Sequence, residues 1–250
     1  MAGTALQRRL IWRTAEVQDF VDETPRVRSL VLEVPDWPGH VPGQHVDVRL
    51  TAEDGYQAQR SYSIASSPTG ERVTLTVERL EDGEVSPYLA AELRVGDRLE
   101  LRGPVGGYFV WDVSLGGPLL LVAGGSGICP LMAMLRLRHA AGSAVPTRLL
   151  YSSRSLEDVI YRDELDRMAA DGTGLEVIHT LTRSVPQAWA GLHRRIDAAM
   201  LSAAAWPPAD QPLSFICGPT PLVESAAESL VHLGHEPTRI KTERFGPTGG

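Results

Sequence analysis

The hydrophobic pattern changes its period near residues 111–118, "WDVSLGGP", and this change constrains the fold more than any other feature. Before it, apolar residues recur at every second position, as in "RVRSLVLEV", "HVDVRL" and "RVTLTVERL". A period of two indicates antiparallel strands with one buried and one solvated face. Turn-forming stretches such as "AEDG" and "RVGD" separate these strands. Short strands at this spacing predict an antiparallel β-barrel.

After this point, continuous apolar runs alternate with helical stretches. "PLLLVAG" precedes "ICPLMAMLRLRHAAG", "TRLLYSS" precedes "SLEDVIYRDELDRMAA", and "LSFIC" precedes "GPTPLVESAAESLVHLG". This alternation predicts a parallel sheet covered by helices on both faces. Ser155 is the expected N-cap of the helix in "SLEDVIYRDEL", and a further helix is expected in "RRIDAAML". We therefore predict a β-barrel domain over residues 1–112 and an α/β domain over residues 113–250.

Charge and cysteine content exclude several classes of function. The formal net charge is −7, which argues against general binding of nucleic acid. The two cysteines are too few for a four-thiolate iron–sulfur cluster, and no zinc-type spacing is present, so no metal site is predicted. The chain start lacks the apolar core of a signal peptide, and the most apolar run is interrupted by glycines and a proline. These features predict a cytoplasmic protein without a membrane span.

Two loops at one edge of the predicted parallel sheet are candidate binding elements, because ligands bind at the carboxyl ends of such strands. The first strand ends in "AGGSGICP", where glycines permit close approach of a phosphate to the backbone. Taken alone, this loop is equally well a structural turn. The last parallel strand ends in "FICGPTPLVE", and a cysteine in this position is usually a small buried hydrophobe.

Six motifs in order resemble the ferredoxin–NADP reductase family: "RSYSIASSP", "GPVGGYF", "VAGGSGICPLMAML", "LLYSSRSLEDVIYRDEL", "FICGPTPLVE" and the final "ERF". The resemblance extends from about Val27 onward. It implies that the barrel binds a flavin, with FAD favoured over FMN, and that the second domain binds NAD(P)H. The turn "GPVGGYF" is interpreted as mainly structural.

The resemblance assigns roles to residues of the barrel. In the family pattern Arg-x-Tyr-Ser, Arg60 is expected to pair with a flavin phosphate and Tyr62 to stack on the isoalloxazine ring. The Ser63 hydroxyl is expected to bond near flavin N5, the hydride acceptor. The segment "DGEVSPYL", which also predicts a short helix, resembles the family's second flavin-phosphate segment and implies contacts from Gly83, Val85 and Ser86.

Roles in the second domain follow in the same way. Cys217 matches the family cysteine beside the nicotinamide ring, where it packs and orients the ring, and Gly218 and Pro219 follow it. Glu243 is expected near the contact between nicotinamide and flavin, and Phe245 is expected to cover the flavin. The nicotinamide-nucleotide loop is matched by Gly124, Gly125, Ser126, Gly127 and Pro130.

Two positions depart from the family pattern. Cys129 stands where a small alanine is more usual, and we interpret it as a tolerated small residue. Plant-type members end at the aromatic residue, whereas this chain continues through residues 246–250. That glycine-rich tail is expected to be partly mobile.

Basic loops favour NADPH over NADH as the electron donor. The extra 2′-phosphate of NADPH is expected to meet Ser153 and Arg154 after the second parallel strand, and Thr182 and Arg183 after the third. NADH-preferring members often carry an acid at the position of Thr182. "HRRID" supplies two further arginines, Arg194 and Arg195.

The resemblance predicts a flavoprotein oxidoreductase that passes hydride from NAD(P)H to FAD and then single electrons to an acceptor. The chain has neither the cysteines nor the length for a fused iron–sulfur domain, so a separate acceptor is expected: a ferredoxin, a haem protein or a metalloenzyme. One alternative is a free-standing reductase of ferric chelates, quinones or flavins. A further alternative is a non-catalytic electron-transfer or regulatory subunit.

Overall fold

The computed structural model describes residues 10–68 and 72–245. The N-terminal half forms a six-stranded antiparallel sheet with the order β4-β3-β6-β1-β2-β5. Its strands are β1 (Trp12–Thr24), β2 (Val27–Glu33), β3 (His45–Thr51), β4 (Gln57–Ser63), β5 (Arg72–Glu78) and β6 (Arg98–Val105).

The two outer strands of this sheet meet and close it into a barrel. Beyond the end of β4, Ile64 forms a bridge with Leu75 of β5, and the amide of Ala65 donates to the carbonyl of Thr74 at 2.8 Å. The alternating apolar residues of β2, β3 and β5 fill the interior, with Leu32, Val46, Val48, Val73 and Val77 fully buried. The predicted antiparallel barrel is confirmed.

The C-terminal half is a five-stranded parallel sheet with the order β11-β10-β7-β8-β9. Its strands are β7 (Leu119–Gly124), β8 (Thr147–Ser153), β9 (Leu175–Leu181), β10 (Leu213–Gly218) and β11 (Ile240–Arg244). Its helices are α1 (Ile128–Ala140), α2 (Arg162–Ala170), α3 (Ala198–Ala204) and α4 (Thr220–His232).

Strand β7 shows why its sequence is continuously apolar. Leu119 and Leu121 pack into one hydrophobic core, whereas Leu120 and Val122 pack into a second core on the opposite face of the sheet. Every residue of β7 is therefore buried, as a sheet covered on both faces requires. The predicted parallel sheet with helices on both faces is confirmed.

Two helix predictions need correction, and the short helix expected in "VSPYLAAEL" is present. Ser155 does not cap α2: its hydroxyl donates to the Asp158 carboxylate at 2.7 Å, a short 3₁₀ turn follows, and α2 begins only at Arg162. Helix α3 begins at Ala198, because the Asp197 side chain accepts from the amide of Met200 and caps it there. The short helix expected in "VSPYLAAEL" is a π-helical turn over Tyr88–Glu92.

A buried chain of hydroxyl groups joins the barrel to the parallel-sheet domain. Ser29 donates to the Glu23 carboxylate at 2.6 Å and lies 2.7 Å from the Thr76 hydroxyl, which bonds in turn to the hydroxyl of Tyr161. Because Ser29 donates to Glu23, Thr76 donates to Ser29 and Tyr161 donates to Thr76. The guanidinium of Arg136 lies over the Tyr161 ring.

Other contacts fix the same interface. Arg136 on α1 donates to the carbonyl of Ala65 at 2.8 Å and forms a two-pronged ion pair with Glu164 on α2. On the other side, the Tyr108 hydroxyl donates to the carbonyl of Ile240 at 3.3 Å, and the ammonium of Lys241 lies 4.5 Å from the centre of the Tyr108 ring. Within residues 10–68 and 72–245, no helix is both long and apolar enough to cross a membrane.

Candidate flavin and nicotinamide-nucleotide site

The carboxyl edge of the parallel sheet gathers the residues predicted to bind the nicotinamide nucleotide. Strand β7 ends at Gly124, a 3₁₀ turn over Gly125–Gly127 follows, and α1 starts directly afterwards. Gly125 has a φ of +54°, and nothing lies within 4 Å of the position that a Cβ would take there, so its backbone is open to an approaching group. Pro130 is buried in the first turn of α1.

The glycine loop packs directly on the end of β10. A Cβ added to Gly127 would lie 2.1 Å from the carbonyl oxygen of Cys217, a distance that only glycine avoids. A Cβ at Gly124 would meet the Pro219 ring at 3.1 Å, and Gly218 lies against the backbone of Gly124. The two predicted loops therefore form one continuous surface.

Cys217 and Glu243 are neighbours across β10 and β11, where their Cα atoms are register partners. Burial and then the nearby Glu243 raise the pKa of the Cys217 thiol, so it stays protonated and serves as a packing group. Burial raises the pKa of Glu243 to about 7. Its Oε2 is buried and has no hydrogen-bond partner among the described residues.

Phe245 follows β11 and is held at the same edge. Its amide donates to the carbonyl of Gly218 at 3.2 Å, and its half-buried ring packs against one of the cores of this domain. The residues after it, 246–250, lie outside the described residues, and so does the prediction of a mobile tail.

The barrel contributes the end of β4. Tyr62 pairs with Val46 and packs on the barrel core, and burial raises the pKa of its phenol to about 12 against the opposing effect of Arg60. Ser63 pairs with His45 on β3. The hydroxyl of Ser66 accepts from the amide of Thr74, so this residue supports the closure of the barrel.

The second predicted phosphate segment lies beside Arg60. Arg60 donates to the Glu84 carboxylate at 2.9 Å, and Glu84 stands between Gly83 and Val85. A Cβ at Gly83 would lie 2.8 Å from the Ser86 hydroxyl, so glycine is required there. Val85 is fully buried, and Ser86 accepts from the amide of Leu80 at 3.1 Å.

The barrel part and the parallel-sheet part of the candidate site both lie next to the interface between the two domains. His45, opposite Ser63, lies next to the turn at Gly106, and two residues later Tyr108 contacts β11, the strand that carries Glu243. Within the described ranges no hydrogen bond or ion pair joins the barrel residues Tyr62 and Ser63 to Cys217 or Glu243. The contacts of His45, Gly106 and Tyr108 therefore connect the end of β4 to β11 across the domain junction.

The predicted 2′-phosphate residues lie on two loops that are tied together. The Thr182 amide donates to the carbonyl of Ser153 at 3.0 Å, and the Arg183 amide donates to the carbonyl of Arg154 at 2.9 Å. Both arginines are exposed, and neither forms an ion pair within the described ranges. Arg194 differs, because its guanidinium is paired with Asp197 at 2.7 Å.

Several residues of this region were missed by the sequence reading. Glu78 on β5 accepts from the Ser126 hydroxyl at 3.0 Å and so links the barrel to the glycine loop. Burial lowers the pKa of His45, which keeps its imidazole neutral at pH 7. The alternation of β3 and β5 indicates only that Glu78 and His45 point away from the barrel core, and not what they contact.

The residues fit the two predicted cofactors. The open backbone at Gly125 suits a nucleotide phosphate, and the unpaired Oε2 of Glu243 offers an acceptor to an amide such as that of nicotinamide. The half-buried Tyr62 ring and the Arg60 guanidinium suit an aromatic group bearing a phosphate. The described ranges contain no group of His, Cys, Asp and Glu side chains that could hold a metal ion.

Two family models match this chain. The family "Oxidoreductase FAD-binding domain" matches residues 15–110, and the family "Oxidoreductase NAD-binding domain" matches residues 121–228. The chain thus carries an FAD-binding domain of oxidoreductase type followed by an NAD-binding domain of oxidoreductase type.

Individual relatives show the family. Ferredoxin--NADP reductase B of Sorangium cellulosum is 36% identical over 89% of this chain and 93% of its own length. The ferredoxin reductase component of 3-ketosteroid-9-alpha-monooxygenase of Mycobacterium tuberculosis is 33% identical over 92% of this chain. The chain spans 64% of the length of that relative. The chain belongs to the ferredoxin–NADP reductase family.

A solved structure supports the same fold. The FAD/NAD-binding domain of nitric oxide dioxygenase from Vibrio cholerae superimposes with a TM-score of 0.83 and 26% identity, covering 94% of this chain and 99% of that domain.

Proposed function

We propose that this chain is an NAD(P)H oxidoreductase that delivers electrons through FAD to a separate acceptor protein, such as a ferredoxin, a haem protein or a metalloenzyme. The single observation that supports it most is the carboxyl edge of the parallel sheet, where the backbone of Gly125 is open and the buried Oε2 of Glu243 has no hydrogen-bond partner among the described residues. FAD, when bound, accepts hydride from the nicotinamide and releases electrons singly. The relatives named as ferredoxin reductases support this assignment.

The chain's own residues act by positioning. Arg60 and the segment around Gly83 and Ser86 would hold the flavin phosphates, and Tyr62 would stack on the flavin ring. The glycine loop from Gly124 would hold the nucleotide phosphates at the start of α1. Cys217 would pack beside the nicotinamide, and Glu243 would accept a hydrogen bond from its amide or hold a proton at Oε2. Placing two flat rings in contact is the main contribution of the protein.

We also propose NADPH as the preferred donor. Arg154 and Arg183 support this proposal, because their two loops are joined and both guanidinium groups lack a carboxylate partner in the described ranges. A 2′-phosphate suits such a paired guanidinium site. Arg194 is ion-paired with Asp197, as Arg60 is with Glu84, so its guanidinium would have to be shared with that carboxylate to hold the 2′-phosphate.

We also propose a domain boundary and a cellular location for this protein. We place the boundary between the barrel domain (1–112) and the nucleotide domain (113–250) in the segment that connects β6 to β7. A cytoplasmic location is proposed as well, where both buried thiols remain reduced and NADPH is available. Separating cytosol from membrane and secreted fractions tests the location.

Anaerobic reduction tests the function. The purified protein is expected to be yellow and to bleach rapidly with NADPH and at least several-fold more slowly with NADH. Acceptor proteins co-purified or encoded beside it are then expected to be reduced much faster than ferric chelates or quinones. A colourless protein that binds no added flavin refutes the assignment. Equal turnover with small acceptors and no protein acceptor would favour the free-standing reductase instead.

A further inference from the structure

An irregularity in β1 directs Glu23 from the barrel into the junction between the two domains. The pairing of β1 with β2 shifts its register between Asp22 and Thr24, so Glu23 is an extra residue without a partner residue on β2. Such bulges change the direction of a side chain. The Glu23 carboxylate accepts from the hydroxyl of Ser29 at 2.6 Å, and Ser29 is only 2% exposed. An ionisable group of the barrel thus lies at the start of the buried hydroxyl chain.

Charged and polar groups of the nucleotide domain face Glu23 from two helices. Arg136 on α1 and the backbone amide of Tyr161, just before α2, favour the ionised carboxylate, as does the bond from Ser29. Glu164 on α2 opposes it, and it also takes up both prongs of the Arg136 guanidinium. Burial outweighs the favourable groups and raises the pKa of the Glu23 carboxyl. The docked arrangement of the two domains therefore prefers the neutral carboxyl.

The hydroxyl chain from Glu23 reaches the segment proposed to hold the nucleotide phosphates. It runs through Ser29 and Thr76 to the hydroxyl of Tyr161. The carbonyl of Thr76 also accepts from the thiol of Cys129 at 3.9 Å. Cys129 lies in the first turn of α1, directly after the glycine loop. The chain therefore ends where the parallel-sheet domain begins its first helix.

The glycine loop is bonded to the same face of β5. Side chains two residues apart on a strand share one face, so Glu78 and Thr76 both point towards the nucleotide domain. Glu78 accepts from the hydroxyl of Ser126 in the glycine loop at 3.0 Å. A change in the contact between Thr76 and Tyr161 therefore acts directly beside the support of this loop.

We propose that Glu23 is a positioning residue whose charge controls how firmly the nucleotide domain docks on the barrel. With Glu23 neutral, the hydroxyl chain keeps Tyr161 and the start of α1 against β5. With Glu23 ionised, a buried charge that Arg136 only partly compensates weakens this docking. The contribution of Glu23 to docking is complete below its ordinary pKa of 4.5 and is lost as the pH rises through the raised value.

Hydrogen–deuterium exchange of the purified protein without added nucleotide tests this inference. Wild type and Glu23→Gln are compared at the same pH. Glutamine can accept the bond from Ser29 and carries no charge, as the neutral carboxyl does. We expect Glu23→Gln to slow exchange in residues 128–135 and around Tyr161 at least about threefold at pH 8, and by a smaller factor at pH 5. Helix α4 packs on the opposite face of the sheet and is expected to exchange as in wild type.

Two further variants separate the charge of Glu23 from its hydrogen bond. Glu23→Ala also removes the charge but leaves Ser29 without its acceptor. Its exchange in residues 128–135 is therefore expected to be at least about threefold faster than that of Glu23→Gln at both pH values. Glu33→Gln makes the same replacement at an exposed position of β2 and is the matched control, with exchange unchanged.

The outcomes distinguish the inference from the proposed function. If Glu23→Gln exchanges like wild type at pH 8, or slows exchange by the same factor at pH 5 and pH 8, the charge of Glu23 does not control docking and the inference is wrong. It is equally wrong if α4 slows as much as α1, or if Glu23→Ala matches Glu23→Gln. The inference goes beyond the proposed reaction and needs no turnover, so a failure to bind flavin or to oxidise NADPH would overturn the proposed function alone.

Discussion

At the scale of single residues, the site depends on a close backbone contact that only one amino acid permits. Gly127 leaves room for the carbonyl of Cys217, and the two loops that carry the proposed nucleotide contacts meet at this point. The carbonyl is backbone and cannot rotate away as a side chain would. The glycine here is therefore required by packing, whatever ligand binds.

Gly127→Ala is expected to destabilise the fold by more than about 2 kcal/mol, because its Cβ would overlap a backbone oxygen. Gly107→Ala is the control, since nothing lies within 4 Å of the position of its Cβ. That variant should stay within about 0.5 kcal/mol of wild type. Urea unfolding of both variants measures the difference, and similar midpoints for the two would contradict the packing argument.

Glu243 predicts a dependence of stability on pH. Burial raises its pKa from 4.5 to about 7, so the fold favours the protonated carboxyl. This contribution is complete below about pH 4.5 and is lost as the pH rises through 7, at a cost on the order of 3 kcal/mol. Glu243→Gln should therefore gain stability relative to wild type between pH 5 and pH 8.

Thermal unfolding of the flavin-free protein at both pH values measures this gain. Glu228→Gln, an exposed position on α4, serves as the control and should show no such trend. A constant offset between wild type and Glu243→Gln across this range would mean that Glu243 is ionised in the fold.

The sequence motifs could predict which residues belong to the candidate site, but they could not predict the ion-pair partners of those residues. The motifs singled out Cys217 and Glu243, which the fold makes neighbours across β10 and β11, and Arg60, which lies on β4 of the barrel. No pattern indicated that Arg60 would pair with Glu84 or Arg194 with Asp197. Arg60 and Glu84 lie on separate segments, and local periodicity contains no information about the distance between them, whereas Arg194 and Asp197 are only three residues apart.

At the scale of elements, the loops after β8 and β9 act as one unit. Hydrogen bonds from Thr182 and Arg183 to the carbonyls of Ser153 and Arg154 hold them together. Arg154 comes from one loop and Arg183 from the other, so joining the loops brings these two guanidinium groups onto one unit.

The double variant Arg154→Ala/Arg183→Ala is expected to lower kcat/KM for NADPH by at least about tenfold and to change that for NADH less than about twofold. The reason is that only NADPH carries the 2′-phosphate. Arg72→Ala, exposed on the barrel, is the control and should affect neither donor. Equal losses with both donors would show that the arginines do not recognise this phosphate.

Most elements could be predicted from the period of the hydrophobic pattern, and the failures have physical causes. The segment "SLEDVIYRDEL" has a serine and early acids, which are typical of a helix start. Tyr161 instead adopts a left-handed φ of +61°, which interrupts the helix and directs its ring towards the barrel. Its partners Thr76 and Arg136 are distant in sequence. A local pattern therefore cannot predict that these tertiary contacts interrupt the helix.

At the scale of the whole molecule, the hydroxyl chain from Glu23 to Tyr161 couples the two domains through buried polar groups. Such networks stabilise a structure when every member is satisfied and cost stability when one donor is removed. Tyr161 is the single member contributed by the nucleotide domain, and Glu23, Ser29 and Thr76 belong to the barrel.

Tyr161→Phe should therefore lower the free energy of unfolding by about 1–2 kcal/mol, because Thr76 loses its donor while the ring keeps its packing. Tyr88→Phe, an exposed tyrosine, is the control and should be neutral. The change in the free energy of unfolding is measured by urea unfolding, followed separately by tryptophan fluorescence and by flavin fluorescence. A loss below about 0.3 kcal/mol would indicate that water replaces the missing bond.

The contact between Lys241 and Tyr108 makes it possible to follow the relative motion of the two domains by chemical labelling. Lys241 is the only lysine of the chain, against 23 arginines, and its ammonium rests on a barrel tyrosine from a strand of the other domain. Amine-selective labelling therefore has one side-chain target, located at the domain junction. Its reaction rate is expected to report separation of the two domains at this junction in the native sequence, with no engineered probe.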